Sequence, residues 1–256
     1  MRDSVTISLT TLPDRVVLLE QALDSVYHQA DVINVYLDGH TEIPSFLDRE
    51  KITYQTREHG GSWGARGKFY WAKNVKGYHV TIDDDIVYPS DYVSKLIDGI
   101  ERHQRQAIVG VLGHRFREPI KSFYNSRTTY TLRMPIPADV LVHSVGSGTM
   151  AYHSDTMTFD IDQDFPKKNM EDLYVGVMAK RAGIPIYVIA RPPRWLYPLP
   201  VTGYSIYGEW QKQQDDRVQT EILRAESPWP VLPPIPHVVH RAIQQFYLNE
   251  MARQKK

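Results

Sequence analysis

The chain contains no cysteine. That absence excludes disulfides and thiolate metal sites, and it fits a reducing compartment. Net charge is absent too. Lys+Arg and Asp+Glu both number 30, so there is no global basic field to hold a nucleic-acid backbone. No apolar run approaches the roughly 20 residues of a membrane span. The opening Met1-Arg2-Asp3-Ser4-Val5 meets charge at once and is not read as a signal peptide. Internal repeats and low-complexity tracts are missing as well. What is there is 42% hydrophobic and 23% charged residues over 256 positions, the composition of a folded globular chain rather than a disordered one. The expected location is cytoplasmic, with a peripheral place at the inner face of a membrane left open.

The first half alternates strand and helix patterns. Val5 to Leu9 is a β-branched run that reads as a buried strand, and Pro13-Asp14 opens a helix with Val16, Leu19, Leu23 and Val26 on one face. Val32 to Leu37 reads as a second strand, Lys51 to Gln55 as a third, and Trp63 to Asn74 as a helix. Tyr78 to Ile82 is a further strand, followed by a helix from Pro89-Ser90 with Val93, Leu96, Ile97 and Ile100 in a stripe. This order predicts an α/β fold with a Rossmann-like, mostly parallel central sheet flanked by helices. In the second half, Ala107 to Leu112, Ser122 to Leu132, Val140 to Val145 and Ile186 to Ala190 read as strands. Met170 to Ala182 reads as a helix closed by Gly183. Arg191 to Gly208 reads as an ordered or closable loop. Trp210 to Ala225 and Val238 to Ala252 read as C-terminal helices on either side of the linker Pro228 to Pro236.

Chemistry concentrates in Thr81-Ile82-Asp83-Asp84-Asp85-Ile86. Three carboxylates follow directly on an apolar strand, and ligands of open α/β sheets bind at the carboxyl ends of strands. Adjacent negative charges repel one another unless a cation neutralises them. Carboxylate oxygens suit Mg²⁺ or Mn²⁺, and Mg²⁺ typically joins one or two carboxylates to substrate phosphates. In extended chain, Asp83 and Asp85 face one side and Asp84 the other. The plain alternative is a solvated acidic turn that caps the following segment.

In this setting the sequence resembles the family-2 group of inverting glycosyltransferases, which share the GT-A fold. The resemblance covers roughly the first 190 residues and rests on four segments in order. Thr6-Ile7-Ser8-Leu9-Thr10-Thr11 matches a first strand whose end borders the nucleotide base. Val35-Tyr36-Leu37-Asp38-Gly39 matches a strand ending in a base-contacting Asp. Gly64-Ala65-Arg66-Gly67-Lys68 leads into Asp83-Asp84-Asp85 as the family's glycine-and-arginine segment leads into its DxD strand. Met170-Glu171-Asp172-Leu173 matches the acidic pair that supplies the catalytic base. Two segments depart from the family: Leu9-Thr10-Thr11-Leu12-Pro13 replaces its Pro-Thr-Tyr-Asn turn, and no Asn follows Arg66.

The resemblance implies one GT-A domain over residues 1–256. Residues 1–112 would form the nucleotide-sugar-binding half, and 113–256 the acceptor-binding half with C-terminal helices. It implies a metal-dependent transferase that moves a sugar from a nucleotide-sugar, by analogy a UDP-sugar, to a growing glycan such as bacterial capsule or lipopolysaccharide. Asp172 is then the base and Glu171 its alternate. Thr10, Thr11, Asp38, Arg66, Lys68, Asp83 and Asp84 bind the nucleotide-sugar. Asp83 and Asp85 hold Mn²⁺ or Mg²⁺, with His237 as an extra C-terminal ligand. The implied partners are the donor, the glycan acceptor and, as open alternatives, a membrane surface or other glycan-synthesis enzymes.

Each residue also has a plainer role. Glu171 and Asp172 suit a helix N-terminus, which alone stabilises by about 0.3 to 1 kcal/mol. Asp38 can cap a turn with Gly39, Arg66 and Lys68 can be surface cations, and His237 with His240 can form a polar helix face. Gly146-Ser147-Gly148-Thr149-Met150-Ala151 formally matches a dinucleotide fingerprint. No amphipathic helix follows it, so it reads as a small-residue turn near a ligand. Trp195, Tyr197, Tyr204, Tyr207 and Trp210, with Arg191 and Arg194, read either as a lid that stacks on sugars or as a satellite hydrophobic cluster. The rival functions are a sugar nucleotidyltransferase, which Leu9 to Arg15 does not favour because it lacks glycine, and a non-catalytic carbohydrate-binding scaffold.

Overall fold

The computed structural model describes residues 2–56, 62–201, 208 and 215–254. Its centre is an eight-stranded sheet in the order β3-β2-β1-β4-β11-β6-β12-β9. The strands are β1 (Val5–Thr11), β2 (Val32–Leu37), β3 (Ile52–Thr56), β4 (Tyr78–Ile82), β6 (Ile108–Gly110), β9 (Val140–Val142), β11 (Thr149–His153) and β12 (Ile186–Val188). Parallel pairing joins β3, β2, β1 and β4, and again β6 and β12. β11 is antiparallel to both β4 and β6, and β9 is antiparallel to β12. The sheet is therefore mixed but mostly parallel, and it takes strands from both sides of residue 112.

Helices cover it: α1 (Val16–Val26), α2 (Tyr92–Arg102), the short α3 (Ile161–Asp164), α4 (Glu171–Ala182), α5 (Arg217–Ala225) and α6 (His237–Gln254). The expected stripes face inward. Leu19, Leu23 and Val26 of α1 and Val93, Leu96 and Ile100 of α2 are buried together with β1, β2 and β4. A second core on other elements gathers Phe69, Phe159, Phe165, Val175 and Val239. Both faces of β1 and β4 are buried although each strand alternates apolar with polar residues, so Thr6, Ser8, His79 and Thr81 are enclosed as well as Val5, Ile7, Leu9, Val80 and Ile82. No helix of the described residues is long and apolar enough to cross a membrane.

Four expectations need correction. Trp63 to Asn74 is not an α-helix but two 3₁₀ segments, Gly64–Phe69 and Ala72–Asn74. Gly64 sits at φ +60°, and a Cβ on Gly67 would lie 2.6 Å from the Tyr36 ring, so this tight turn is pressed directly onto the sheet. Of Ser122 to Leu132, only β8 (Arg127–Tyr130) is strand, pairing with β7 (Gly113–Phe116). Val140 to Val145 splits between two sheets, because β10 (Ser144–Val145) pairs with β7. His143 makes the break: its ring accepts from the Phe116 N–H at 2.7 Å and its Nε2 meets the Pro230 carbonyl at 2.8 Å. The unforeseen strand is β11, fully buried between β4 and β6. Thr-Met-Ala-Tyr-His has little β-branched character, and only its two neighbours make it a strand. Residues 210–214 of the expected Trp210 to Ala225 helix lie outside the described residues, as do Tyr204 and Tyr207.

Candidate active site

β4 stops at Ile82, and Asp83-Asp84-Asp85 turns the chain into β5 (Ile86–Val87), which pairs with β13 (Tyr197–Pro198). Because the strand has ended, its alternation does not extend to the three carboxylates, and cations sort them differently: Asp84 and Asp85 share Arg15, while Asp83 meets Lys68. Arg15, from the 3₁₀ turn after β1, donates to Asp84 at 2.8 Å and to Asp85 at 3.3 Å. Asp83 accepts from the Lys68 ammonium at 2.6 Å. Tyr88 braces the turn. Its buried hydroxyl accepts from the Asp83 N–H at 2.9 Å and donates to the Gly148 carbonyl at 2.8 Å.

The turn Gly146-Ser147-Gly148 lies beside this cluster and leads into β11. A Cβ on Gly148 would lie 1.7 Å from the Asp83 carboxylate, so glycine leaves the space that the carboxylate fills. Ser147 faces the start of α4. Its N–H donates to Asp172 at 2.7 Å, and its hydroxyl donates to Glu171 at 3.3 Å. Asp83, Glu171 and Asp172 thus line one cleft of about 650 Å³, together with Lys68, Ser147 and Gly148. Its other wall carries His114, Phe123, Tyr124 and Arg127. The Arg127 guanidinium lies 4.0 Å from the Phe123 ring centre and 4.2 Å from that of Tyr124.

Five carboxylates, Asp83, Asp84, Asp85, Glu171 and Asp172, meet two cations, Lys68 and Arg15. Burial, then repulsion from Asp83 and Asp84, raises Asp85 to about 6 against the attraction of Arg15. Burial and the neighbouring Asp172 raise Glu171 to about 7. Asp172 is also raised by burial, opposed by its hydrogen bonds from Ser147. Burial raises Asp84 in spite of Arg15 and the Thr11 hydroxyl. Lys68 behaves conversely. Burial lowers it, but Asp83 and Glu171 outweigh burial and hold it above the usual lysine value. Burial is the first cause of each carboxylate's rise, and the repulsion of five carboxylates facing two cations adds to it at Asp85 and Glu171.

That excess, and the buried Asp84 Oδ2 without a hydrogen-bond partner, suit a divalent cation. Among the described residues, no group of three or more His, Asp and Glu side chains is placed to hold one. An ion bound here would be held by one or two of these carboxylates and completed by ligand phosphates, the usual manner of Mg²⁺.

The other expected residues take varied places. Asp38, at the end of β2, accepts from the Ser62 hydroxyl and from the N–H groups of Trp63 at 3.1 Å and Gly64 at 3.0 Å, so its carboxylate anchors the 3₁₀ turn. Arg66 lies over the Trp63 ring and donates to the Phe165 carbonyl. Thr11 is buried beside Asp84, and the Thr10 hydroxyl lies against Gly67. His237 is exposed at the start of α6 and makes no ion pair with the acidic turn. Trp195 is a core residue, 5.6 Å from Tyr92 and donating to Asp91 at 2.9 Å. Arg15 was not foreseen, and Ser147 and Gly148 were expected as part of a small-residue turn near a ligand but not as partners of the carboxylates. The readable signal for Arg15 is a cation just after β1, whose parallel neighbour is β4. No family model matches the sequence, and no curated protein does so.

Proposed function

We propose that the protein is an inverting glycosyltransferase of GT-A type, moving a sugar from a nucleotide-sugar donor to a hydroxyl of a growing glycan. The supporting observation is the shared cleft: Asp83 at the end of a central strand and Asp172 at the start of a helix line one space. A donor diphosphate near the acidic turn would leave its anomeric carbon within that space, facing the acid pair. By resemblance, the donor is a UDP-sugar, with Thr10, Thr11 and Asp38 at the ends of β1 and β2 bordering the nucleotide.

Asp172 acts as general base. Its carboxylate takes the proton of the acceptor hydroxyl as that oxygen bonds to the anomeric carbon. The bond from that carbon to the diphosphate breaks, and its electron pair leaves with the nucleoside diphosphate. One displacement inverts the centre. The Ser147 N–H fixes the Asp172 carboxylate at 2.7 Å, and Arg15 holds Asp84 and Asp85. Asp83 and Asp85 would hold Mn²⁺ or Mg²⁺, and such an ion, when bound, supplies positive charge against the leaving diphosphate. The site's negative excess supports that need.

Release of nucleoside diphosphate from a panel of UDP- and GDP-sugars tests this reading. One donor is expected to turn over with Mn²⁺ and a glycan acceptor, and Asp172→Asn is expected to lower the rate about 10³-fold. Near-normal turnover of Asp172→Asn would remove the base assignment, and no release from any donor would remove the transferase.

A further inference from the structure

We propose that Lys68 and Ser147 form a positioning bridge that fixes the Asp83 carboxylate and the Glu171–Asp172 pair relative to each other across the cleft. What the bridge serves rests on the transferase reading, whereas its geometry does not.

Lys68 is 1% exposed. Its ammonium donates to Asp83 at 2.6 Å and to the Ser147 hydroxyl at 3.4 Å. That hydroxyl in turn donates to Glu171, and the Ser147 N–H donates to Asp172. One chain of contacts therefore runs from the end of β4 to the start of α4. Both of its ends are held. The Lys68 turn is tied to β2 through Asp38 and to the segment before α4 through the Ala65 N–H, which donates to Asn169 at 3.0 Å. Phe69 locks it below, its ring centre 4.5 Å from that of Phe165. The Ser147 carbonyl accepts from the Thr81 hydroxyl at 2.5 Å, which ties the far end back to β4.

A buried ammonium is tolerated only where several carboxylates compensate it in good geometry. Here they stand on both sides of it: Asp83 by direct contact, Glu171 and Asp172 by attraction across Ser147. Removing the charge leaves three carboxylates facing one another with nothing between them, and their spacing opens. Lys68 borders the cleft, but with 1% exposure its ammonium is already engaged by Asp83 and Ser147.

The test is hydrogen exchange at the Ser147 amide, the donor to Asp172, in wild type, Lys68→Met, Lys68→Arg and Ser147→Ala, alongside UDP affinity. Lys68→Met is expected to speed exchange at residue 147 at least about tenfold while β1 amides keep their protection, and Lys68→Arg to restore most of it. UDP affinity is expected to stay within about threefold. In turnover, Lys68→Met is expected to lower kcat at least about 30-fold with the donor KM within about threefold. Unchanged protection at residue 147, together with UDP affinity at least about tenfold weaker, would overturn the bridge and make Lys68 a phosphate clamp. If Lys68→Met does not fold, Ser147→Ala decides: faster exchange at residue 147 supports the bridge and unchanged exchange overturns it. Should wild type bind no nucleotide, the transferase reading falls while the exchange result still judges the bridge.

Discussion

β4 has charged groups at both of its ends, and the two ends are built differently. At its start, Arg105 pairs with Asp3 and Glu101, each at 2.7 Å, and meets the Tyr78 hydroxyl at 3.1 Å. These side chains are 35 to 44% exposed. Glu101 lies below its ordinary range, first because Tyr78 donates to it and then because Arg105 does. At the other end, carboxylates outnumber cations, and Glu171 and Asp85 are pushed up instead of down. Exposed pairs of the first kind contribute about 0 to 1 kcal/mol and serve the surface. A buried excess of one sign costs stability, and folds keep such costs mainly where a ligand relieves them. The direction of the carboxylate shifts separates the two ends more clearly than the number of charges does.

The strongest way to break this contrast acts at Gly148. Its missing Cβ makes room for the Asp83 carboxylate, a half-exposed group that can swing away. Gly148→Ala is expected to lower turnover about 100-fold with a melting-temperature shift of only about 2 °C. Steady-state kinetics and calorimetric melting check it, and a large stability loss with normal turnover would contradict it.

The next prediction concerns Glu171. Its folded value of about 7 exceeds the ordinary 4.5 expected in the unfolded chain, so protonation favours the folded state. That stability is fully present below about pH 4.5 and is lost as pH rises through about 7. Glu171→Gln, a permanent mimic of the neutral form, is expected to be more stable than wild type by about 2 kcal/mol at pH 8 in EDTA, and by far less at pH 5. Denaturant titration at the two pH values measures the difference, and an equal effect at both would contradict it. The smallest effect is expected at the opposite end. Arg105→Ala is expected to cost about 0.5 to 1 kcal/mol and leave turnover unchanged, read by the same two methods.

Much of the frame was legible because it is local. The runs Val5 to Leu9, Val32 to Leu37 and Tyr78 to Ile82 became neighbouring strands, and Asp83-Asp84-Asp85 falls at a strand's carboxyl end as its pattern implied. The Met170 to Ala182 pattern became α4, with Gly183 closing it in the left-handed conformation at φ +68°. What stayed hidden was partnership across the sequence. Arg15 reaches Asp84 across 69 positions and Lys68 reaches Ser147 across 79, and no periodicity encodes either. β11 was concealed because Thr149 to Ala151 reads as part of the Gly146 to Ala151 turn, and Thr-Met-Ala-Tyr-His carries no β-branched run to mark a strand. Asp38 was legible as a strand-ending carboxylate, but its partners, the Ser62 to Gly64 segment, come from the turn that the helical reading of Trp63 to Asn74 had obscured.

The central claim is that the acidic end of β4 receives a nucleoside diphosphate with a cation. Calorimetric titration of UDP and GDP into the protein, first with Mn²⁺ and then with EDTA, tests it most directly. The account predicts binding of one nucleotide with Mn²⁺, lost in EDTA and lost in Asp85→Ala while that variant stays folded. Binding of neither nucleotide under either condition, or binding that is indifferent to Asp85→Ala, would contradict it.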